Sequence, residues 1–364
     1  MKFIGISLIH HTPNPLTGRL SSTTERFQEV VGNGVLLEEL GYDGYGIGER
    51  HHRPFISTSP PVVLSHIAAR TSEIRLFSAV TLLSILDPVR VAEDYATVDH
   101  LSNGRLEVII GKGNGPEQAE LFGLPREQQW ATTSENYRLL RKLWDTDAVT
   151  WSGPRRPDLV EAVTLPRPLQ QPLRVWHGSA TSHESVELAA EFGDPLFSAN
   201  VTNPIEPYAE LVDFYRERWS HHGHDPSALY LGAGAAAMYV TPRSQDAVDT
   251  YRPIFEARAA MGRSFGVEPV FTSVQDFVER SSALIGSPQQ VVDKVQRYHD
   301  RLGHSVVSFG ADADGLTVSQ HRDSLELFQH AVAPELRRRI ADPPWPATAV
   351  SSSPPAAVAA NSAA

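Results

Sequence analysis

Short apolar runs alternate with amphipathic stretches along most of the chain. The runs at 3–8, 45–48, 74–80, 106–111, 173–177, 195–199, 231–239 and 305–309 are apolar or built of small residues, and each is too short for an ordinary helix, so each predicts a strand. Between them, the segments at 23–40, 60–71, 88–101, 132–145, 183–192, 204–222, 244–262 and 288–302 predict helices with one apolar face. Several carry start signals. Ser59-Pro60 and Ser287-Pro288 set an N-cap hydroxyl before a first-turn proline, and Ser287 with Gln290 adds capping-box spacing. Eight strands alternating with helices, without a break in composition, predict an α/β fold: a single (β/α)8 TIM barrel over 1–340 with insertions at its rim. The competing doubly wound sheet calls for a Gly-x-Gly-x-x-Gly turn after the first strand. This strand runs instead into His10-His11-Thr12-Pro13-Asn14-Pro15.

The chain has 364 residues, 41% of them hydrophobic, enough for a large core. Past Ile340 it turns Pro-, Ala- and Ser-rich, a composition that buries too little apolar surface to order itself, so 341–364 predicts a disordered tail. A net charge of −11 without a clustered run of Lys and Arg disfavours nucleic acid and anionic membranes as partners. The absence of cysteine excludes disulfides, thiol catalysis and Cys-based zinc sites. No apolar run approaches a membrane span, and the first residues lack the long apolar region and cleavage site of a signal peptide. A soluble cytoplasmic protein is expected.

In a barrel of this kind the residues just past the strand C-termini face the active site. The rule sets Glu49 to Arg53, "ERHHR", at the mouth, and collects His10, Lys112, His177 and Asn200 around the same rim. His51 and His52 are adjacent and diverge, so one of them is expected to point inward. Glu49 is expected to pair with Arg50 or Arg53. In "LEVIIGKGNG", small residues let a ligand approach the backbone and Lys112 offers a charge, without Walker spacing. In "VWHGSATSHE", a strand ending at His177 leads through Gly178, Ser179, Ala180 and Thr181 into a helix start, a ready anion site. Thr181 with Glu184 has capping-box spacing, and Ser182 is a second candidate cap.

Taken together these motifs resemble the luciferase-like flavin-dependent monooxygenases, a family that includes the bacterial luciferase subunits and a branch using coenzyme F420. The resemblance runs to about residue 335 and is densest over 49–113, "ERHHRPFISTSPPVV…LEVIIGKG", continuing through "ELFGLP", "RVWHGSATSHESVELAAEFGD", "HGHDP" and "GSPQQVVDKVQRY". It implies a TIM barrel that holds reduced FMN at its C-terminal mouth. His51 matches the first histidine of the Glu-His-His motif near the reactive face of the flavin. Ala79 and Val80 match the position of a non-proline cis peptide beneath the ring. Lys112 stands where luciferase has a phosphate-contacting arginine, and Gly178, Ser179, Ala180, Thr181 and Ser182 form the phosphate turn. Two positions depart from the pattern: Arg50 replaces the usual glutamate, and Gly111 replaces the cysteine of luciferase's catalytic subunit, so light emission is not implied.

The resemblance further implies a two-component monooxygenase. A separate flavin reductase supplies FMNH2, O2 reacts to give a flavin C4a-peroxide, and a small organic substrate is oxidised beside His51. Segments 114–133 and roughly 262–285 are expected to supply a substrate lid, and a homodimer is expected. Three alternatives stand beside this: an F420-dependent oxidoreductase without oxygen chemistry, a metal-dependent TIM-barrel hydrolase using His10, His51, His177 and Lys112, and a non-catalytic barrel subunit. Against the hydrolase, the first strand ends in His-His rather than the His-x-His that sets two ligands on one side.

Overall fold

The computed structural model describes residues 1–113, 116–264 and 268–341. The tail expected over 341–364 lies, beyond residue 341, outside the described residues, as do Asn114 and Gly115 of the glycine turn. Eight parallel strands close into a barrel in sequence order: β1 (Lys2–Ser7), β2 (Gly44–Ile47), β3 (Arg75–Leu82), β4 (Leu106–Gly111), β5 (Val175–Ser179), β6 (Leu196–Ser198), β7 (Leu231–Gly234) and β8 (Val306–Gly310). β8 closes on β1 with Lys2 opposite Val306 and Ile6 opposite Gly310. Helices follow the strands, and their apolar faces cover the outside of the barrel; Leu64, Ile67, Leu139 and Leu140 are buried there with Leu76, Val108 and Ile110. Each such side chain contributes about 1.5–3 kcal/mol by leaving water.

The capping box at Ser287 forms as the sequence predicts. Ser59 precedes its helix but makes no side-chain cap bond. The predicted strand at 231–239 is two elements. Leu231–Gly234 enters the barrel, while Met238–Val240 leaves it and pairs in parallel with Leu284–Gly286. Hydrophobicity alone could not divide them, because the alanines between are as small and apolar as the strands. An antiparallel hairpin, Val149–Gly153 with Arg156–Ala162, also goes unpredicted; most of its residues face solvent, so it lacks an apolar run.

Inward-pointing residues alternate along each strand. Ile4, Phe77, Ile109, Trp176, Phe197 and Val306 fill the barrel. Toward the N-terminal end the filling turns polar. Glu107, on the same face of β4 as Ile109, accepts from Arg75 Nε at 2.8 Å and from Trp176 Nε1 at 2.5 Å. Arg75 also donates to Gln170 at 3.0 Å, and Gln170 donates to Asp99 and to the Leu106 carbonyl, both at 2.7 Å. All four side chains, Arg75, Asp99, Glu107 and Gln170, are buried. Removing one partner of such a pair leaves an uncompensated buried charge, at about 3–5 kcal/mol. Among the described residues no helix is long and apolar enough to cross a membrane.

Candidate functional site

The C-terminal ends of β2 to β5 carry most of the residues singled out in the sequence. β3 bulges there: its register with β4 shifts between Ala79 and Thr81, and the Ala79–Val80 peptide bond is cis, at the position the resemblance implies. Thr81 Oγ1 lies 2.8 Å from Ser78 Oγ and 2.6 Å from Tyr95 Oη, a buried hydroxyl chain behind the bulge. The bulge turns the Val80 side chain across the ends of β4 and β5. A Cβ at Gly111 would stand 2.9 Å from Val80 Cγ2, and one at Gly178 would stand 2.7 Å from Val80 Cγ1. Both glycines are therefore needed for Val80 to lie where it does. The glycine at 111, a departure from luciferase in the sequence, is a steric partner of Val80.

Just past β2, Glu49 and His51 stand two residues apart and their side chains meet. Glu49 is nearly fully buried. Its Oε1 lies 2.8 Å from His51 Nε2, and its Oε2 accepts the Leu82 N–H at 2.9 Å. The carboxylate thus joins the end of β2 to the β3 bulge and orients the imidazole. This corrects the expected ion pair of Glu49 with Arg50 or Arg53. Arg50 lies over the Phe55 ring at 5.4 Å, and burial lowers its pKa. The two histidines diverge as expected: the His51 ring meets the edge of Phe122 at 4.8 Å, and the His52 ring packs on Phe55 at 5.2 Å. His10 reaches Phe55 from the other side at 4.4 Å, and burial depresses its pKa.

The segment after β4 adds a residue that sequence reasoning missed. Gln118, on the short helix Pro116–Leu121, is 2% exposed and accepts the His51 backbone N–H through Oε1 at 3.2 Å. Its Nε2 is buried without a hydrogen-bond partner. Nothing in the local pattern signals this, because the pairing spans 67 residues.

The turn after β5 is built from the predicted hydroxyls, with the roles redistributed. Ser182, not Thr181, caps the helix His183–Phe192, accepting from Ser185 N at 3.3 Å. Ser179 Oγ accepts from Ser182 N at 3.1 Å, and Ala180 and Thr181 are exposed. Its own backbone N–H and the Ser182 hydroxyl, with a smaller contribution from the charge of exposed Lys112, hold Glu184 below the usual carboxylate range. Glu184 was not among the predicted site residues. It accepts from Ser182 Oγ at 2.8 Å, so an anionic side chain stands where an incoming anion would be received.

Of the expected rim residues, His177 lies elsewhere. His177 faces out of the barrel because its neighbour Trp176 faces in. It is buried with Nε2 3.1 Å from Asp194 Oδ2, and Tyr137 and Arg141 share that carboxylate. Asn200 is buried, and its backbone carbonyl accepts from Ser282. Among the described residues no group of three His, Asp or Glu side chains converges to hold a metal ion.

The arrangement suits a flat aromatic ligand with an acidic tail: a Val80 cradle, an oriented imidazole, an unpartnered amide donor, and a lysine beside a capped helix start. Residues 1–305 match the model of the luciferase-like monooxygenases. The alkanal monooxygenase alpha chain of Photorhabdus laumondii subsp. laumondii is 24% identical, over 93% of this chain and 99% of the relative. Among solved structures, a monooxygenase from Streptomyces bottropensis superposes with a TM-score of 0.78 at 24% identity, over 92% of this chain and 99% of that one. The oxygenating constituent of 3,6-diketocamphane monooxygenase from Pseudomonas putida, a type II Baeyer-Villiger monooxygenase in complex with FMN, gives 0.74 at 19% identity with the same coverage. The coenzyme F420-dependent tetrahydromethanopterin reductase of Methanopyrus kandleri gives 0.70 at 16% identity, again over 92% and 99%. With the family model spanning most of the chain and the solved relatives sharing its closed barrel, this chain belongs to the luciferase-like monooxygenase family.

Proposed function

We propose that the chain is the oxygenase of a two-component system, using FMNH2 delivered by a separate flavin reductase and O2 to oxidise a small organic substrate. The observation that carries this reading is the Glu49–His51 pair set beside the Val80 cradle at one barrel mouth. Reduced FMN, when bound, supplies the electrons that activate O2. Gly111, Gly178 and Val80 would support its ring, and Lys112 with Ser179, Thr181 and Ser182 would receive its phosphate. Lysine contributes a point charge there without the two-pronged grip of arginine.

The other steps belong to the protein's own groups. Glu49, holding the Leu82 N–H, accepts from His51 Nε2–H and fixes the tautomer, which leaves Nδ1 as the nitrogen free to hold or move a proton. His51 is the catalytic residue in this reading. Phe122 packs against the imidazole in a T-shaped contact on its solvent side. In the described parts of the expected lid segments, Phe122 lies on His51, Val274 and Phe277 pack with Tyr251 and Ile254 of the helix Ser244–Ser264, and Phe271 packs on Phe277. A homodimer, expected from the resemblance, is checked by sedimentation.

A second reading, F420-dependent hydride transfer, is favoured by the likeness to the Methanopyrus enzyme. An anaerobic titration of the purified protein with FMNH2, oxidised FMN and F420 separates the two. Preference for FMNH2 supports the oxygenase, preference for F420 converts it to an oxygen-independent oxidoreductase, and binding of none overturns both.

A further inference from the structure

Gln118 stands at the mouth with half of its amide in use. The His51 N–H, a donor, faces Oε1 at 3.2 Å, so the amide cannot be turned round without setting two donors against each other. Nε2 is therefore the free end, and it is buried with no acceptor. A buried donor left unmatched costs about 1–3 kcal/mol, a cost that a purely structural glutamine at this position would not need to carry. Nε2 lies beside the turn that follows β4, 3.4 Å from where a Cβ at Gly113 would be, and the Leu82 side chain closes the same space. Gly113 has φ +80 and sends no side chain into that space.

From this geometry we infer that Gln118 is a ligand-binding residue, whose Nε2 donates to a carbonyl oxygen on the pyrimidine side of the flavin-type ring seated against His51. The inference rests on the proposed function in requiring a ring at this mouth. It does not depend on which cofactor is used, because FMN and F420 share those carbonyls. A single amide thus spans the cofactor and the backbone of the proton-handling histidine, so it would set their relative position.

The test is an anaerobic binding titration of reduced FMN, with reduced F420 in parallel, on the wild-type protein and on Gln118→Leu and Gln118→Glu, with thermal melts of each. Glutamate keeps an acceptor for the His51 N–H and removes the donor; leucine removes both. The expected result is a loss of affinity of at least about fivefold in both variants, with glutamate no better than leucine. Wild-type affinity in Gln118→Glu, whatever leucine does, would show that the residue only holds His51 and would overturn the inference. If leucine unfolds the protein, the glutamate variant carries the comparison alone. Failure of the wild-type protein to bind either cofactor would overturn the proposed function, and the inference with it; binding that is unchanged in the variants overturns the inference alone.

Discussion

Glu49 holds His51 through one carboxylate oxygen, at 2.8 Å, and the Leu82 backbone N–H through the other, at 2.9 Å. The side chain that orients the imidazole is thus the one that fastens the end of β2 to the bulge of β3. Glu49→Gln keeps the shape and removes the charge that fixes the tautomer. Product formation is expected to fall by up to about 10²- to 10⁴-fold, the contribution of a positioned general acid or base. Its pH profile should shift, while affinity for reduced FMN changes little. His51→Ala is expected to release more H2O2 per flavin consumed at nearly unchanged affinity; product and peroxide assayed together check both variants, and intact coupling in His51→Ala would refute its role.

Glu184 offers the opposite case, a residue whose removal should help. Its carboxylate sits on the Ser182 hydroxyl at the helix start, so a phosphate must displace or neighbour it. Glu184→Gln is expected to tighten FMN about two- to fivefold, the scale of one exposed charge at a helix terminus. Riboflavin, without the phosphate, should be unaffected, and comparing the two ligands isolates the effect.

Val80 makes a steric prediction. Gly178→Ala brings a methyl to 2.7 Å from Val80 Cγ1, and something must move. A destabilisation of about 1–3 kcal/mol and weakened flavin binding are expected. Pairing it with Val80→Ala, which makes room, should restore much of the stability in a thermal melt.

Burial lowers the His304 imidazole to about 3. The unfolded chain takes up a proton near the ordinary histidine value and the folded one does not, so this group stabilises the fold above about pH 6.5 and the contribution is lost as the pH falls toward 3. Within that window the slope is about 1.4 kcal/mol per pH unit. Asp312 opposes it: burial raises its carboxyl to about 6 despite Arg26 at 2.7 Å, so its contribution is present at low pH and lost as the pH rises through 6. His304→Leu should therefore remove the rise of stability with pH that offsets Asp312 and leave the Asp312 fall visible between about pH 4 and 6, as denaturant melts between about pH 3 and 7, which span both windows, would show.

Much of the barrel was legible because each strand is a compact apolar run with a helix behind it, and the cis peptide lies at the position implied by the resemblance. The hairpin at 149–162 was not, because its side chains are mostly solvated and leave no periodic signal. His177 was misplaced by a rule about strand ends that ignores which way each side chain faces; the bulky Trp176 beside it gave the parity. The Glu49–His51 pair was within reach, since the two stand only two residues apart just past a predicted strand, but the arginines beside it suggested a charge pairing instead. Gln118 was out of reach, because its partner lies 67 residues away and only the closed barrel brings them together.

The network of Arg75, Glu107, Trp176 and Gln170 closes the foot of the barrel beneath its apolar filling, so the barrel divides its labour by end: the foot is given to stability, and the mouth carries Glu49, His51 and Gln118.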